Sequence, residues 1–276
     1  MEAAGITAVL LKGYAIDDCY ALPKSRMCGD ADNWINPKDE DLACGFMKEQ
    51  GFTVIPRWKN GHQAVCNHSK LGCVELHVIL YDEIVEDVWL GKMDGSEFVV
   101  ESYLQIYSED GKHQTLVYTD HSIFLALHMI KHFIPSGLTV QMMLDAALYF
   151  KRHAAQIDGE RVWNMINSVH YGRLFNCILW VMICYCGFKQ NDFPGICEDA
   201  SEQVAEILSD LEDGGWMGWQ EYNRQILMEN RSRLQYFLYM LRWKSDMHWK
   251  ALFPTWEALA KQYPYVVKSA LLIPLA

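Results

Sequence analysis

The hydrophobic pattern of this 276-residue chain changes period near residue 118, and that change limits the folds open to it. Upstream, short β-rich apolar runs stand at residues 6–11, 31–35, 52–55, 63–67, 73–80 and 114–118. Bounded by turn signals, such runs read as strands. Residues 14–20 read as a short helix broken by Leu22-Pro23-Lys24-Ser25. Pro37-Lys38-Asp39-Glu40-Asp41 opens a helix with acidic side chains in its first turn, where they complement the dipole. That helix carries Leu42, Ala43, Phe46 and Met47 on one side and closes at Gln50-Gly51. Asn60-Gly61 is a hairpin signal, and residues 82–118 are ambiguous until the last strand. Downstream, residues 122–133, 140–153, 160–170, 174–187, 201–211 and 219–243 show helical spacing, with Leu174, Ile178, Val181 and Tyr185 forming one core row. The expected fold class is α+β, with a mixed β-sheet domain and its helices over residues 1–118 and an all-helical domain over 119–276.

Composition narrows the function. A net charge of −11 argues against broad nucleic-acid binding, which needs basic patches to displace counterions. Any phosphate site here must rely on a metal and on local Lys or Arg. The nine cysteines are scattered without a Cys-x-x-Cys pair and read as reduced thiols of a cytoplasmic protein, mostly buried as small hydrophobes. The longest apolar stretch, 174–188, falls short of the roughly 20 residues that a membrane span needs.

Three acidic positions carry the chemistry. Asp30 and Asp32 lie in Gly29-Asp30-Ala31-Asp32, and Glu75 lies in Val74-Glu75-Leu76-His77. In extended backbone Asp30 and Asp32 share a face while Ala31 points into packing, and Glu75 shares a face with His77. Adjacent carboxylates repel unless something positive lies between them. Mg²⁺ is the usual candidate, held by one or two carboxylates together with substrate phosphates. Asp30 and Asp32 are therefore assigned as metal ligands, and Glu75 as third ligand or base. Lys12-Gly13 closes a strand and opens a helix, a place suited to phosphate, although an ordinary turn has the same sequence. Arg26 either clamps phosphate or pairs with Asp30. His128 and His132, one helical turn apart, line a cleft or are hydrogen-bonded at the domain junction, with Asp145 anchoring one of them.

In this order Leu11-Lys12-Gly13, Arg26, Asp30-Ala31-Asp32, Val74-Glu75-Leu76-His77, His128 with His132, and Leu144-Asp145 resemble the uncharacterised nucleotidyltransferase-like proteins of the polymerase-β-type superfamily. Leu252-Phe253-Pro254 and Tyr263-Pro264 extend the resemblance along most of the chain. Two features depart from it. Asn33-Trp34 follows the Asp-x-Asp where the family continues with aliphatic residues, and Met1 precedes the first strand almost directly, so truncation at one or both ends is expected. The resemblance implies a Mg²⁺-dependent nucleotidyltransferase moving a nucleoside monophosphate from an NTP, ATP foremost, to a hydroxyl of a small molecule or protein, with release of pyrophosphate. Lys12, Gly13, Arg26, His77, His128 and His132 would bind the nucleotide. The alternative is a non-catalytic nucleotide-binding or regulatory module of the same fold. No nucleic-acid or membrane partner is expected.

Overall fold

A computed structural model describes residues 1, 4–22, 26, 29–57, 63–78, 80, 105–107, 114–136, 138–168, 172–196, 204 and 208. Seven strands form one mixed sheet: β1 (Ala8–Leu10), β2 (Asp30–Ile35), β3 (Thr53–Ile55), β4 (Gln63–His68), β5 (Gly72–His77), β6 (Gln105–Tyr107) and β7 (Gln114–Leu116). Their order is β3-β4-β5-β2-β1-β7-β6. The β2–β5 and β1–β7 pairs are parallel and the other neighbours antiparallel. Five α-helices are described: α1 (Glu40–Glu49), α2 (Tyr118–Ser136), α3 (Val140–His153), α4 (Gly159–Ser168) and α5 (Gly172–Cys186). The chain divides into two compact units, Met1–Leu125 and Ala126–Ala276.

The first unit follows from the period-2 pattern of its strands. Register places Ala64 opposite Leu76 and Cys66 opposite Val74, while Ala31 pairs with Val74 from the other side. Ile35, Ala64, Cys66 and Leu76 thus share a face, and α1 packs Ala43 and Met47 against them. These two helical residues are four apart and so lie on one side of α1. Leu42, expected beside them, is 54 % exposed, because one residue of helix turns it out of that stripe. Asn36 begins the approach to α1 by accepting a hydrogen bond from the Lys38 amide, with Pro37 next in line. Arg57 clamps Glu40 through Nε and Nη2 at 2.9–3.2 Å, tying the exit of β3 to the start of α1. At the β4–β5 turn Gly72 takes φ +86°, and His68 Nδ1 accepts from the Lys70 and Leu71 amides.

Several boundaries move. The segment after Lys12 is a 3-10 helix, Gly13–Cys19, and the last strand stops at Leu116, so that Tyr118 already belongs to α2. The ambiguous stretch contains β6, which pairs with β7. Asn60-Gly61, most of 201–211, all of 219–243 and the Pro-containing tail lie outside the described residues; Val204 and Leu208 are helical.

In the second unit, Phe150, Phe175 and Phe193 are buried together, with Trp163 packed on Phe175 at 5.4 Å between ring centroids. The Trp163 indole donates to the Pro194 carbonyl at 3.1 Å. Leu174, Ile178 and Val181 are buried as the helical pattern requires, whereas Tyr185, in the last turn of α5, is 63 % exposed. Of the seven cysteines described, only Cys66 and Cys177 are buried, fewer than composition suggests. Among the described residues no helix is long and apolar enough to cross a membrane.

Candidate active site

The sheet face opposite α1 gathers the polar residues. Asp32 is aligned with Glu75 across the parallel β2–β5 pair, Asp30 with Cys73, and Trp34 with His77. Alternation along each strand then puts Asp30, Asp32, Trp34, Glu75 and His77 on one face. A register slip of one residue would turn all of them into the α1 core. Asp32 is fully buried and His77 nearly so, while Asp30 and Glu75 are partly open to solvent.

Lys12 supplies the positive charge that two adjacent aspartates require. Its backbone is extended, Gly13 follows at φ +69°, and the ammonium lies 2.8 Å from Asp32 Oδ2 and 3.2 Å from Asp30 Oδ2. The contact to Asp30 is a hydrogen bond; that to Asp32 is an ion pair, since neither Asp32 oxygen has an aligned hydrogen-bond donor. On the other side, His77 Nε2 lies 3.7 Å from Asp32 Oδ1 and 3.4 Å from Glu75 Oε2. One donor atom each from Asp32, Glu75 and His77 falls within 4.8 Å of the others, a spacing that fits a single cation. Asp30 is outside that trio and sits with Lys12. Carboxylates gathered this closely favour a divalent cation among them. Burial first, then the charges of Glu75 and Asp30, hold the Cys73 thiol above its ordinary range, with Lys12 acting weakly the other way.

The remaining sequence candidates are less gathered. Gly13 is buried at the start of the 3-10 helix, and Arg26 is half-buried. His128 is a half-buried residue of the second unit and Asp145 a buried one; the side chain of His132 lies outside the described residues. Sequence reasoning missed His121. This histidine is fully buried in the first unit, and its Nε2 lies 2.6 Å from the Leu11 carbonyl oxygen, next to Lys12. It anchors the end of β1 to the start of α2. The signal was present: Thr119-Asp120-His121-Ser122 is a polar quartet directly before the apolar run Ile123 to Leu127, and all four are buried. Trp34 was noted only as a departure from the family. Its ring is buried on the site face, while the Asn33 side chain bonds the Ala31 carbonyl.

The family model of the uncharacterised nucleotidyltransferases matches residues 1–187. No curated protein matches the chain. Among solved structures, the antibiotic-resistance factor ANT(2'')-Ia is similar with a TM-score of 0.41 and 10% identity, over 60% of this chain and 83% of that one. A tRNA nucleotidyltransferase complexed with a primer tRNA and an incoming ATP analogue is similar with a TM-score of 0.24 and 10% identity, over 98% and 97%.

Proposed function

The chain belongs to the uncharacterised nucleotidyltransferases, so that nucleotidyl transfer is its general chemistry, and on that premise we propose that it moves a nucleoside monophosphate from an NTP to a hydroxyl with the help of a divalent cation. The observation that carries this reading is the buried Asp32 carboxylate, set between Lys12 on one oxygen and Glu75 with His77 near the other. A fully buried carboxylate whose oxygens lack aligned donors is costly unless cations face it. The residues present therefore fit a divalent ion, Mg²⁺ on the sequence reading, with Asp32 and Glu75 as oxygen ligands; Asp30, which the sequence also assigns to the metal, is held by Lys12. Such an ion, when bound, lowers the pKa of the acceptor hydroxyl and neutralises the departing pyrophosphate.

The chain's own groups do the rest. The acceptor hydroxyl gives its proton to a carboxylate of the site as its oxygen bonds to the α-phosphorus, the bond to the β-phosphate oxygen breaks, and pyrophosphate leaves. Asp32 and Asp30 fix the position of the reacting centre, because β2 is pinned between β1 and β5. Lys12, held at the end of β1 by the turn at Gly13, is within reach of both aspartates and presents an ammonium to phosphate oxygens. Gly13 and Arg26 join it on the nucleotide; His128 and His132 enter the proposal from sequence alone. ATP is the proposed donor. The strongly acidic chain favours a small molecule or protein over nucleic acid as acceptor. A cytoplasmic protein, with residues 1–118 catalytic and 119–276 helical, completes the proposal.

Calorimetry tests it. The full chain is expected to bind Mg·ATP and to lose most of that binding in Asp30→Asn/Asp32→Asn. Equal affinity in both proteins would count decisively against the reading.

A further inference from the structure

We infer that His77 is a ligand of the divalent ion, completing an Asp32–Glu75–His77 donor set that prefers Mn²⁺ and other first-row transition ions to Mg²⁺. The inference rests on the cation-assisted reading above and narrows which ion serves it. It also moves His77 from the nucleotide, where the sequence placed it, to the metal.

The two oxygens of Asp32 face different neighbours. Oδ2 lies 2.8 Å from the Lys12 ammonium, and the same ammonium holds Asp30 at 3.2 Å. That side already has its cation. Oδ1 faces His77 Nε2 at 3.7 Å, and Glu75 Oε2 approaches the same nitrogen at 3.4 Å. Both separations exceed the roughly 2.7–3.2 Å of an N–H···O hydrogen bond. They approach the spacing of two donors around one ion instead. Ligands about 2.1 Å from a common metal stand about 3.4 Å apart at a tetrahedral angle and about 3.0 Å apart when adjacent in an octahedron.

The fold holds this arrangement in place. Glu75 and His77 are two apart on β5, and Asp32 is the register partner of Glu75 on β2, so all three project from one face at adjacent positions. His77 is 4 % exposed and so largely shielded from solvent. A donor set of oxygens alone suits Mg²⁺, Ca²⁺ and Mn²⁺ alike. Imidazole nitrogen shifts the preference toward transition ions, and two carboxylates with one imidazole therefore discriminate against Mg²⁺.

The experiment titrates the nucleotide-free full chain with Mn²⁺ and with Mg²⁺, and records the electron spin-echo modulation of the Mn²⁺-loaded protein. Mn²⁺ is expected to bind about tenfold or more tightly than Mg²⁺ and to show coupling to a directly ligated imidazole nitrogen. His77→Gln should lower Mn²⁺ affinity about tenfold, change Mg²⁺ affinity much less, and remove the coupling. Bound Mn²⁺ without nitrogen coupling in the wild-type protein overturns the inference, and this reading stands even if the variant does not fold. An unchanged Mn²⁺/Mg²⁺ ratio in folded His77→Gln overturns it too. Asp32→Asn separates the two levels of the argument. Undiminished Mn²⁺ binding there defeats the cation-assisted function itself; binding lost there, but lacking nitrogen coupling in the wild type, defeats only the assignment of His77.

Discussion

The two faces of the sheet are built from the same strands at alternating positions, yet they obey opposite rules. Toward α1 stand Ile35, Ala64, Cys66 and Leu76, each buried against Ala43 and Met47. One residue further along the same strands stand Asp32, Glu75 and His77, together with Lys12 from the end of β1. Burial stabilises the first face by removing apolar area from water. On the second, burial raises the cost of every charge and makes opposite charge or a cation necessary. The difference teaches that the sheet's hydrophobic face fixes register, and that register alone assembles the acidic face. Chemistry here is placed by packing on the opposite side.

That comparison can be broken from either face. The largest effect is expected on the acidic side: Asp32→Asn should lower nucleotidyl transfer by on the order of 10³-fold or more, about 4 kcal/mol of barrier, while circular dichroism shows the fold kept. Leu76→Ala, one residue from His77, should do the reverse. It leaves a cavity under α1 and should cost about 2–5 kcal/mol in denaturant unfolding, with divalent-ion affinity of the folded fraction retained. Lys12→Met strands the buried Asp32 charge and should destabilise by up to about 3 kcal/mol in the presence of chelator; millimolar divalent ion should restore much of the loss. If added ion restores nothing, Lys12 and the metal do not share Asp32.

A smaller effect concerns the thiols. Burial pushes the Cys66 thiol from 9.0 up to about 11. The folded state thus holds that proton more tightly than the unfolded one. The resulting stability is present below about pH 9 and is lost as pH rises through about 11; a two-unit shift bounds it at about 2.7 kcal/mol. Cys66→Ala should flatten that alkaline part of the stability curve, measured by urea midpoints between pH 8 and 11. Leu42→Ser marks the lower limit. Being largely exposed on α1, it should change stability by less than about 0.5 kcal/mol.

Much of the acidic face was legible in the sequence because alternation is local. Asp30-Ala31-Asp32 and Glu75-Leu76-His77 declare their shared faces from spacing alone. What spacing does not give is the partner. That β2 lies beside β5 in parallel depends on pairing across about forty residues, and that β1 brings Lys12 onto both aspartates depends on the β1–β2 pairing. From sequence the lysine reads as a phosphate contact; the structure adds its ion pairs with the two carboxylates. His121 was hidden for a related reason: its partner is a backbone carbonyl 110 residues away. Helical stripes were legible in their middles and not at their margins. Leu42 and Tyr185 have apolar side chains at plausible spacing, but one lies off the buried stripe of α1 and the other in the last turn of α5, where less protein covers it.

The central claim is that the Asp32 face takes a divalent ion in the service of nucleotidyl transfer. Anomalous diffraction at the manganese edge, from crystals of the full chain grown with Mn²⁺ and a non-hydrolysable ATP analogue, tests it most directly. The account predicts a peak within bonding distance of Asp32 and Glu75, with the analogue's phosphates against it. Saturating Mn²⁺ and bound nucleotide with no peak at that face, or a peak only elsewhere, would contradict it.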